Sequence, residues 1–323
     1  MVAPSRLTTH GESYSAAWLA SLPSSEREAC LKGLTEQQAR VLLHDWAFWA
    51  RPNQRPPAGE WTYWLLLAGR GFGKTRSGAE WVIAQARAHP KSRGALVART
   101  AGDVRDVLVE GESGILAVSP PWFRPTYEPS KRRLTWPNGA MATTFSGDEP
   151  AALRGPQYHW AWADELAAWR YQDAWDQLQF GLRLGEHPQC VVTTTPRPIP
   201  QIKELLERDD CEVTRGSTYD NRANLAPSFY TSIIRKYEGT RLGRQELLAE
   251  VLDDNPGALW RRATIEACRV AKLPDGVTLV RVAVGVDPEA SSDEGAAETG
   301  ILVAGLGSDD QGYLLDDCTL RGT

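Results

Sequence analysis

No stretch of this chain is apolar for the ~20 residues that a membrane-spanning helix needs, and the polar opening, 1–15, lacks the apolar core of a secretory leader. The expectation is a cytoplasmic chain with no membrane association. Cysteine is sparse: Cys30, Cys190, Cys211, Cys268 and Cys318 show no Cys-x-x-Cys spacing, and their odd number suggests no disulfide framework. They read as reduced thiols, mostly packing residues. The five histidines form no His-x-His or His-x-x-x-His cluster, which argues against a histidine zinc site. Surplus positive charge is missing too. A net charge of −5 excludes a strongly basic DNA-coating protein and leaves room for an enzyme that holds DNA by a local basic strip. There is no internal repeat and no low-complexity tract.

What is present is ordinary globular composition, 42% hydrophobic and 24% charged over 323 residues, enough for one large domain or two smaller ones. The 13 tryptophans read as core and interface anchors. Helices are expected at 15–22, 25–31 and 35–49, the last with a Thr-x-x-Gln capping pattern. A Pro-rich loop, 51–59, follows. From residue 61 short apolar runs (64–68, 95–98, 158–163, 190–194) alternate with helical segments (75–86 and near 103–109), and Asn138-Gly139 between 133–136 and 140–145 reads as a β-hairpin. Such alternation predicts an α/β fold with a mainly parallel sheet flanked by helices. The rhythm breaks near 253. Strand-like runs resume at 277–286, 300–305 and 313–315. The domain plan is therefore a helical region at 1–60, an α/β domain at 61–252, a linker at 253–276 and a second domain opening at 277–323.

Residues 68–75 read Ala-Gly-Arg-Gly-Phe-Gly-Lys-Thr, a phosphate-loop pattern in which Gly73, Lys74 and Thr75 match and Ala68 replaces the leading glycine. Gly69 and Gly71 supply the freedom for backbone N–H groups to turn around phosphate oxygens. The helix that follows aims its positive end at the same anion. Lys74 would neutralise the β- and γ-phosphates of ATP, and Thr75 would ligate Mg2+. Arg70 could contact the γ-phosphate or simply be solvated. The run 159–165, His-Trp-Ala-Trp-Ala-Asp-Glu, ends a strand in two carboxylates: Asp164 for the Mg2+ shell and Glu165 to take a proton from attacking water. Thr193, Thr194 and Thr195 precede Pro196 at another strand tip, where hydroxyls can sense the γ-phosphate. A simple Thr-Pro turn is the plainer alternative. Arg154 could reach a neighbouring subunit's γ-phosphate or be a surface arginine. Gln54 could read adenine. Arg132, Arg133, Arg235 and Lys236 are candidates for DNA-phosphate contact and equally for solvated surface charge.

Taken together, 64–80, Leu153-Arg154-Gly155, Ala163–Leu166, Thr193–Pro196, Ser217–Asn221 and Val284–Pro288 resemble the large terminase subunits of tailed phages and of phage-derived gene transfer agents. The likeness runs from about residue 45 to the end, and the ordered set is more specific than any member. It implies an ATPase core of the additional-strand, catalytic-glutamate (RecA-like) type, with Lys74 and Thr75 as Walker A residues, Asp164 and Glu165 as the Walker B pair, Thr193–Thr195 as a coupling motif and Arg154 as a trans-acting arginine finger. It implies a motor that packages double-stranded DNA as a homo-oligomeric ring in the host cytoplasm, with portal protein, small terminase subunit and procapsid as partners. It further implies a ribonuclease H-like nuclease in which Asp287 helps to hold Mg2+ or Mn2+. Asp293, Asp316 and Asp317 do not sit where the other ligands are expected, so the chain is expected to end inside that domain. A DEAD-type helicase shares several of these motifs but requires a second RecA-like domain, for which 253–323 are too few. A non-hydrolysing nucleotide-binding module has no use for Glu165.

Overall fold

A computed structural model of the chain describes residues 15–237, 240–250, 268–270, 272–287 and 299–319. The chain divides into two compact units, Met1–Asp253 and Asp254–Thr323.

The first unit is built on an eight-stranded sheet in the order β3-β4-β5-β2-β6-β7-β1-β8. The strands are β1 (Tyr63–Ala68), β2 (Arg93–Ala98), β3 (Thr126–Glu128), β4 (Arg133–Thr135), β5 (Met141–Ser146), β6 (Trp160–Asp164), β7 (Gln189–Thr194) and β8 (Cys211–Gly216). From β5 to β8 every neighbouring pair is parallel, whereas β3 and β4 extend the sheet antiparallel. The mixed α/β class expected from the alternation of runs is what the chain adopts. The hairpin at Asn138-Gly139 forms as well, pairing Thr135 with Met141 and Leu134 with Ala142, with Gly139 at φ 83°.

β1 shows why these runs become central strands. All six of its residues are buried, and alternate side chains enter opposite cores: Trp64, Leu66 and Ala68 on one face, Tyr63, Leu65 and Leu67 on the other. Burial of such a leucine contributes ~1.5–3 kcal/mol, and only a strand covered on both faces uses both sets. The first face is covered by α5 (Lys74–Ala88), whose buried Ala79, Val82, Ile83 and Ala86 recur at helical spacing. The second is covered by the helices Gln172–Gly181 and Pro200–Glu207.

Four sequence expectations need correction. The helix expected over 35–49 is two, α3 (Glu36–Leu43) and α4 (Trp46–Trp49), following α1 (Ala16–Ser21) and α2 (Ser24–Lys32). The Thr35–Gln38 capping box is present, but the side chain of Asp45 accepts from the Phe48 N–H and starts a new helix. The helix near 103–109 is a π-helical turn over Val104–Val109. β8 was not expected, because Cys-Glu-Val-Thr-Arg-Gly is too polar for a buried run; as an edge strand beside β1 it has only one neighbour to satisfy. The cysteines are free among the described residues, but Cys30, Cys268 and Cys318 are exposed, so packing describes only Cys190 and Cys211.

In the second unit the described residues form three antiparallel strands, β9 (Leu279–Asp287), β10 (Gly300–Gly307) and β11 (Gly312–Asp317), in the order β11-β10-β9.

Two tryptophans on β6 are accommodated by glycines. A Cβ at Gly94 would run into the six-membered ring of Trp160, and one at Gly78 would run into the nitrogen edge of Trp162. Gly94→Ala should therefore destabilise the protein by ~1–3 kcal/mol, read as a lower urea midpoint. Gly102→Ala, whose nearest neighbour would be Thr100 Oγ1 at 3.6 Å, should change it far less.

Candidate nucleotide site

The parallel strands point their C-terminal ends to one edge of the sheet, where the expected site residues gather. The glycine-rich loop leaves β1 and enters α5 at Lys74. Gly71 and Gly73 hold φ of 74° and 102°, a left-handed conformation that costs glycine least. A loop that turns its N–H groups toward an anion must turn its carbonyls away, and each carbonyl then needs its own donor. The structure supplies them in sequence. Lys74 Nζ donates to Ala68 O at 2.8 Å and Gly69 O at 3.3 Å. Thr218 Oγ1 donates to Arg70 O at 2.7 Å, and Asn221 Nδ2 to Gly71 O at 2.6 Å. The Arg51 guanidinium donates to Phe72 O and to Asn221 Oδ1 and lies over the Phe72 ring. Ser77 N donates to Gly73 O. From the other side, Arg70 N donates to Glu246 O at 2.8 Å.

Beside this loop stands β7, which lies between β1 and β6. Its tip brings the threonines into one network with the acidic pair. Thr193 Oγ1 donates to Asp164 Oδ1 at 2.6 Å. Thr195 donates to Glu165 Oε1 from its N–H at 3.0 Å and its hydroxyl at 2.6 Å. Lys74 Nζ is 3.5 Å from the same Thr195 hydroxyl. Thr194 Oγ1 accepts from Ala167 N and donates to Thr195 O. Glu165 itself has φ 49° and ψ 45°, a left-handed conformation uncommon outside glycine. It is held there by Glu165 N donating to Thr193 O at 2.6 Å and by the Trp169 indole donating to Asp164 O at 2.9 Å.

The electrostatics follow from burial. Asp164 is pushed up to about 7, chiefly because its charged form is desolvated and also because Glu165 is near, against the hydrogen bond from Thr193 and the charge of Lys74. Burial likewise lowers Lys74, opposed by the charges of Glu165 and Asp164. A buried carboxyl whose one side-chain donor is a hydroxyl is suited to a hard cation. Among the described residues no group of three or more His, Cys, Asp or Glu is placed to hold a metal ion.

The structure thus brings together Gly69, Gly71, Gly73, Lys74, Asp164, Glu165, Thr193, Thr194 and Thr195, with Thr75 in the first turn of α5. Gln54 is buried against Gly73; its Oε1 accepts from Arg51 N, and its Nε2 is the first atom that a Cβ on Gly73 would strike. Arg70 is engaged by Glu246 at 2.7 Å, and that hydrogen bond and charge raise it above the usual arginine range. Arg154 is not gathered in. It is exposed at the end of the helix Pro150–Leu153 and makes no side-chain contact with the cluster among the described residues. Arg132 pairs with Glu149 and Arg133 with Glu128, while Arg235 and Lys236 are exposed. In the second unit Asp287 is exposed at the end of β9 opposite Gly300. Asp316 and Asp317 lie across from Val303 and Leu302, and Asp293 falls outside the described residues.

Sequence reasoning missed Arg51 and Glu246, which carry no local signal. Thr218 and Asn221 lay inside a segment noted for its resemblance, without a role.

Comparison with known proteins was made on this geometry. Residues 65–267 match the family described as the N-terminal part of the T4likevirus-type terminase large subunit. The large terminase of a thermophilic bacteriophage aligns with 87% of this chain and 68% of its own at 14% identity, TM-score 0.51. The complex of that same phage protein with ADP gives equal coverage at 15% identity, TM-score 0.52. The ATPase domain of the Thermus phage P74-26 large terminase aligns over 71% of this chain and 99% of its own, at 16% identity and TM-score 0.45. No curated protein matches. At these identities the likeness to the thermophilic phage's terminase bears on the fold.

The buried Asp164 gives the site a pH signature. The folded protein holds this proton more tightly than the unfolded chain, whose aspartates titrate near ~4. Its stabilising contribution is complete below ~4 and is lost as pH rises through about 7. Asp164→Asn, which mimics the neutral acid, should raise the thermal midpoint of the nucleotide-free protein, by a margin that widens from about pH 5 to about pH 8. Midpoints across that range check it. A margin that stays constant would show that Asp164 is ionised without cost.

Proposed function

The chain belongs to the T4likevirus-type terminase large-subunit family, and on that premise we propose that Met1–Asp253 is the Mg2+-dependent ATP-hydrolysing motor of phage double-stranded DNA packaging. The observation that carries this reading is the contact series Lys74 Nζ, Thr195 Oγ1, Glu165 Oε1 at 3.5 and 2.6 Å beside the glycine-rich loop. It sets a cation for phosphate, a hydroxyl and a proton acceptor within one side chain's reach of each other.

In this reading the N–H groups of Gly71, Gly73, Lys74 and Thr75 and the positive end of α5 bind the β- and γ-phosphates of ATP, and Lys74 exchanges its carbonyl contacts for phosphate oxygens. Thr75 and Asp164 would hold Mg2+, which when bound neutralises charge on those oxygens. Glu165 would orient water and accept its proton as the water attacks the γ-phosphorus and the bond to the β–γ bridging oxygen breaks, releasing ADP. Because Thr195 donates twice to Glu165, loss of the γ-phosphate would be felt directly at β7, the coupling role given to Thr193–Thr195. Gln54, fixed against Gly73, would read the adenine edge from the loop's outer side. Arg70 would exchange Glu246 for the γ-phosphate. Arg154, exposed and outside the cluster, would serve a neighbour in a homo-oligomeric ring. DNA would be the cargo, with portal protein, small terminase subunit and procapsid as partners in the host cytoplasm, as they would for the motor of a gene transfer agent. Asp287 would belong to a ribonuclease H-like nuclease using Mg2+ or Mn2+; that part of the reading rests on the Val284–Pro288 resemblance.

Mg2+-dependent ATP turnover by the purified chain tests the motor reading. Glu165→Ala should lower turnover by at least ~10²-fold, the scale of a lost general base. ADP affinity should stay close to that of the wild type. Equal turnover by both proteins would remove Glu165 from the chemistry. Absence of nucleotide binding by the wild type would overturn the whole reading.

A further inference from the structure

Three buried groups form a line from α5 to the carboxylate of Asp164. The Trp162 indole lies against Gly78 of α5, with its ring nitrogen among the atoms that a Cβ there would strike. Its Nε1–H donates to Thr193 Oγ1 at 2.8 Å, and Thr193 Oγ1 donates to Asp164 Oδ1 at 2.6 Å. Trp162 and Thr193 are fully buried. An indole N–H can only donate, and a threonine hydroxyl has one hydrogen. With the indole occupying one lone pair, the Thr193 hydrogen is left for Asp164, and no water reaches the hydroxyl to turn it elsewhere.

We propose that Trp162 is a positioning residue: through Thr193 it fixes Asp164 Oδ1 as a hydrogen-bond acceptor and leaves Oδ2 for Mg2+. This rests on the reading of Asp164 as the Mg2+ carboxylate given above. The contact with Gly78 gives the indole no room to withdraw, so the orientation of the carboxylate is tied to the seating of the P-loop helix. Partners of this kind, one bond behind a ligand, govern metal affinity more than their distance suggests. The same strand carries its own control. Trp160, two residues earlier on β6, also packs against a glycine and donates its indole N–H to a buried hydroxyl, Ser92 Oγ at 3.0 Å, but it lies toward the opposite end of the strand from Asp164.

The test measures ADP affinity of the full chain with Mg2+ and with EDTA. Thr193→Val should reduce the Mg2+-dependent gain in affinity by about 10-fold, and Thr193→Ser should restore most of it. Trp162→Phe should reduce it by at least ~3-fold, while EDTA affinity stays unchanged; Trp160→Phe should leave both unmoved. Adding Trp162→Phe to Thr193→Val should cost nothing more, since both act on one hydroxyl. Should Trp162→Phe not fold, the wild type labelled with 15N-tryptophan decides. The Trp162 indole resonance should shift when Mg2+ is added to the ADP complex, and that of Trp160 should stay in place. A Trp162→Phe protein that matches Trp160→Phe, loses affinity equally in EDTA or adds to Thr193→Val overturns the proposal, as does a still Trp162 resonance. A wild type with no Mg2+-dependent gain at all would instead overturn the motor reading, and this proposal with it.

Discussion

A backbone that presents its N–H groups inward to an anion has its carbonyls facing outward, and a partly buried carbonyl without a donor costs ~1–3 kcal/mol. Most of the first unit's long-range architecture near the sheet edge answers that requirement. Arg51 comes from before β1, Thr218 and Asn221 from after β8, and Lys74 from the loop's own helix. The loop is thus shaped by side chains far from it in sequence. Its two left-handed glycines are the local condition under which those donors can be reached.

The same requirement explains the position of β8. As the last strand beside β1, it delivers the segment from Ser217 onward directly over the loop, where Thr218 N donates to Leu247 O and Arg70 N to Glu246 O. On the other side, β7 separates the glycine-rich loop from the acidic pair by one strand's width, and Thr195, just past its end, bridges that gap between Lys74 and Glu165. Burial makes the neighbouring bond from Thr193 consequential, because the desolvation that raises Asp164 also strengthens each hydrogen bond made to it.

Much of this was legible in the sequence, and the reasons differ by element. Fully buried strands such as β1 announce themselves as apolar runs, and the Gly-Arg-Gly-Phe-Gly-Lys-Thr segment carries its chemistry in its own spacing. Asp164 and Glu165 were found because they end such a run. β8 escaped because an edge strand needs no continuous apolar sequence. The split between α3 and α4 escaped because Asp45 acts as a cap only once the chain has turned. Arg51 and Glu246 were invisible for a topological reason: their partners lie 21 and 176 residues away, and no local pattern encodes such a meeting. Arg154 was singled out by the resemblance, and the structure places it outside the cluster.

The glycine–tryptophan contacts on β6 bear on how this sequence can drift. Gly78 and Gly94 are empty where Trp162 and Trp160 are full, so each pair shares one fixed volume. A side chain gained at 78 requires shrinkage at 162, and shrinkage at 162 alone opens a cavity under the P-loop helix. The two positions are therefore expected to co-vary across relatives as a unit. In both pairs the indole nitrogen also makes a buried hydrogen bond, Trp162 to Thr193 and Trp160 to Ser92, that no smaller apolar residue can make.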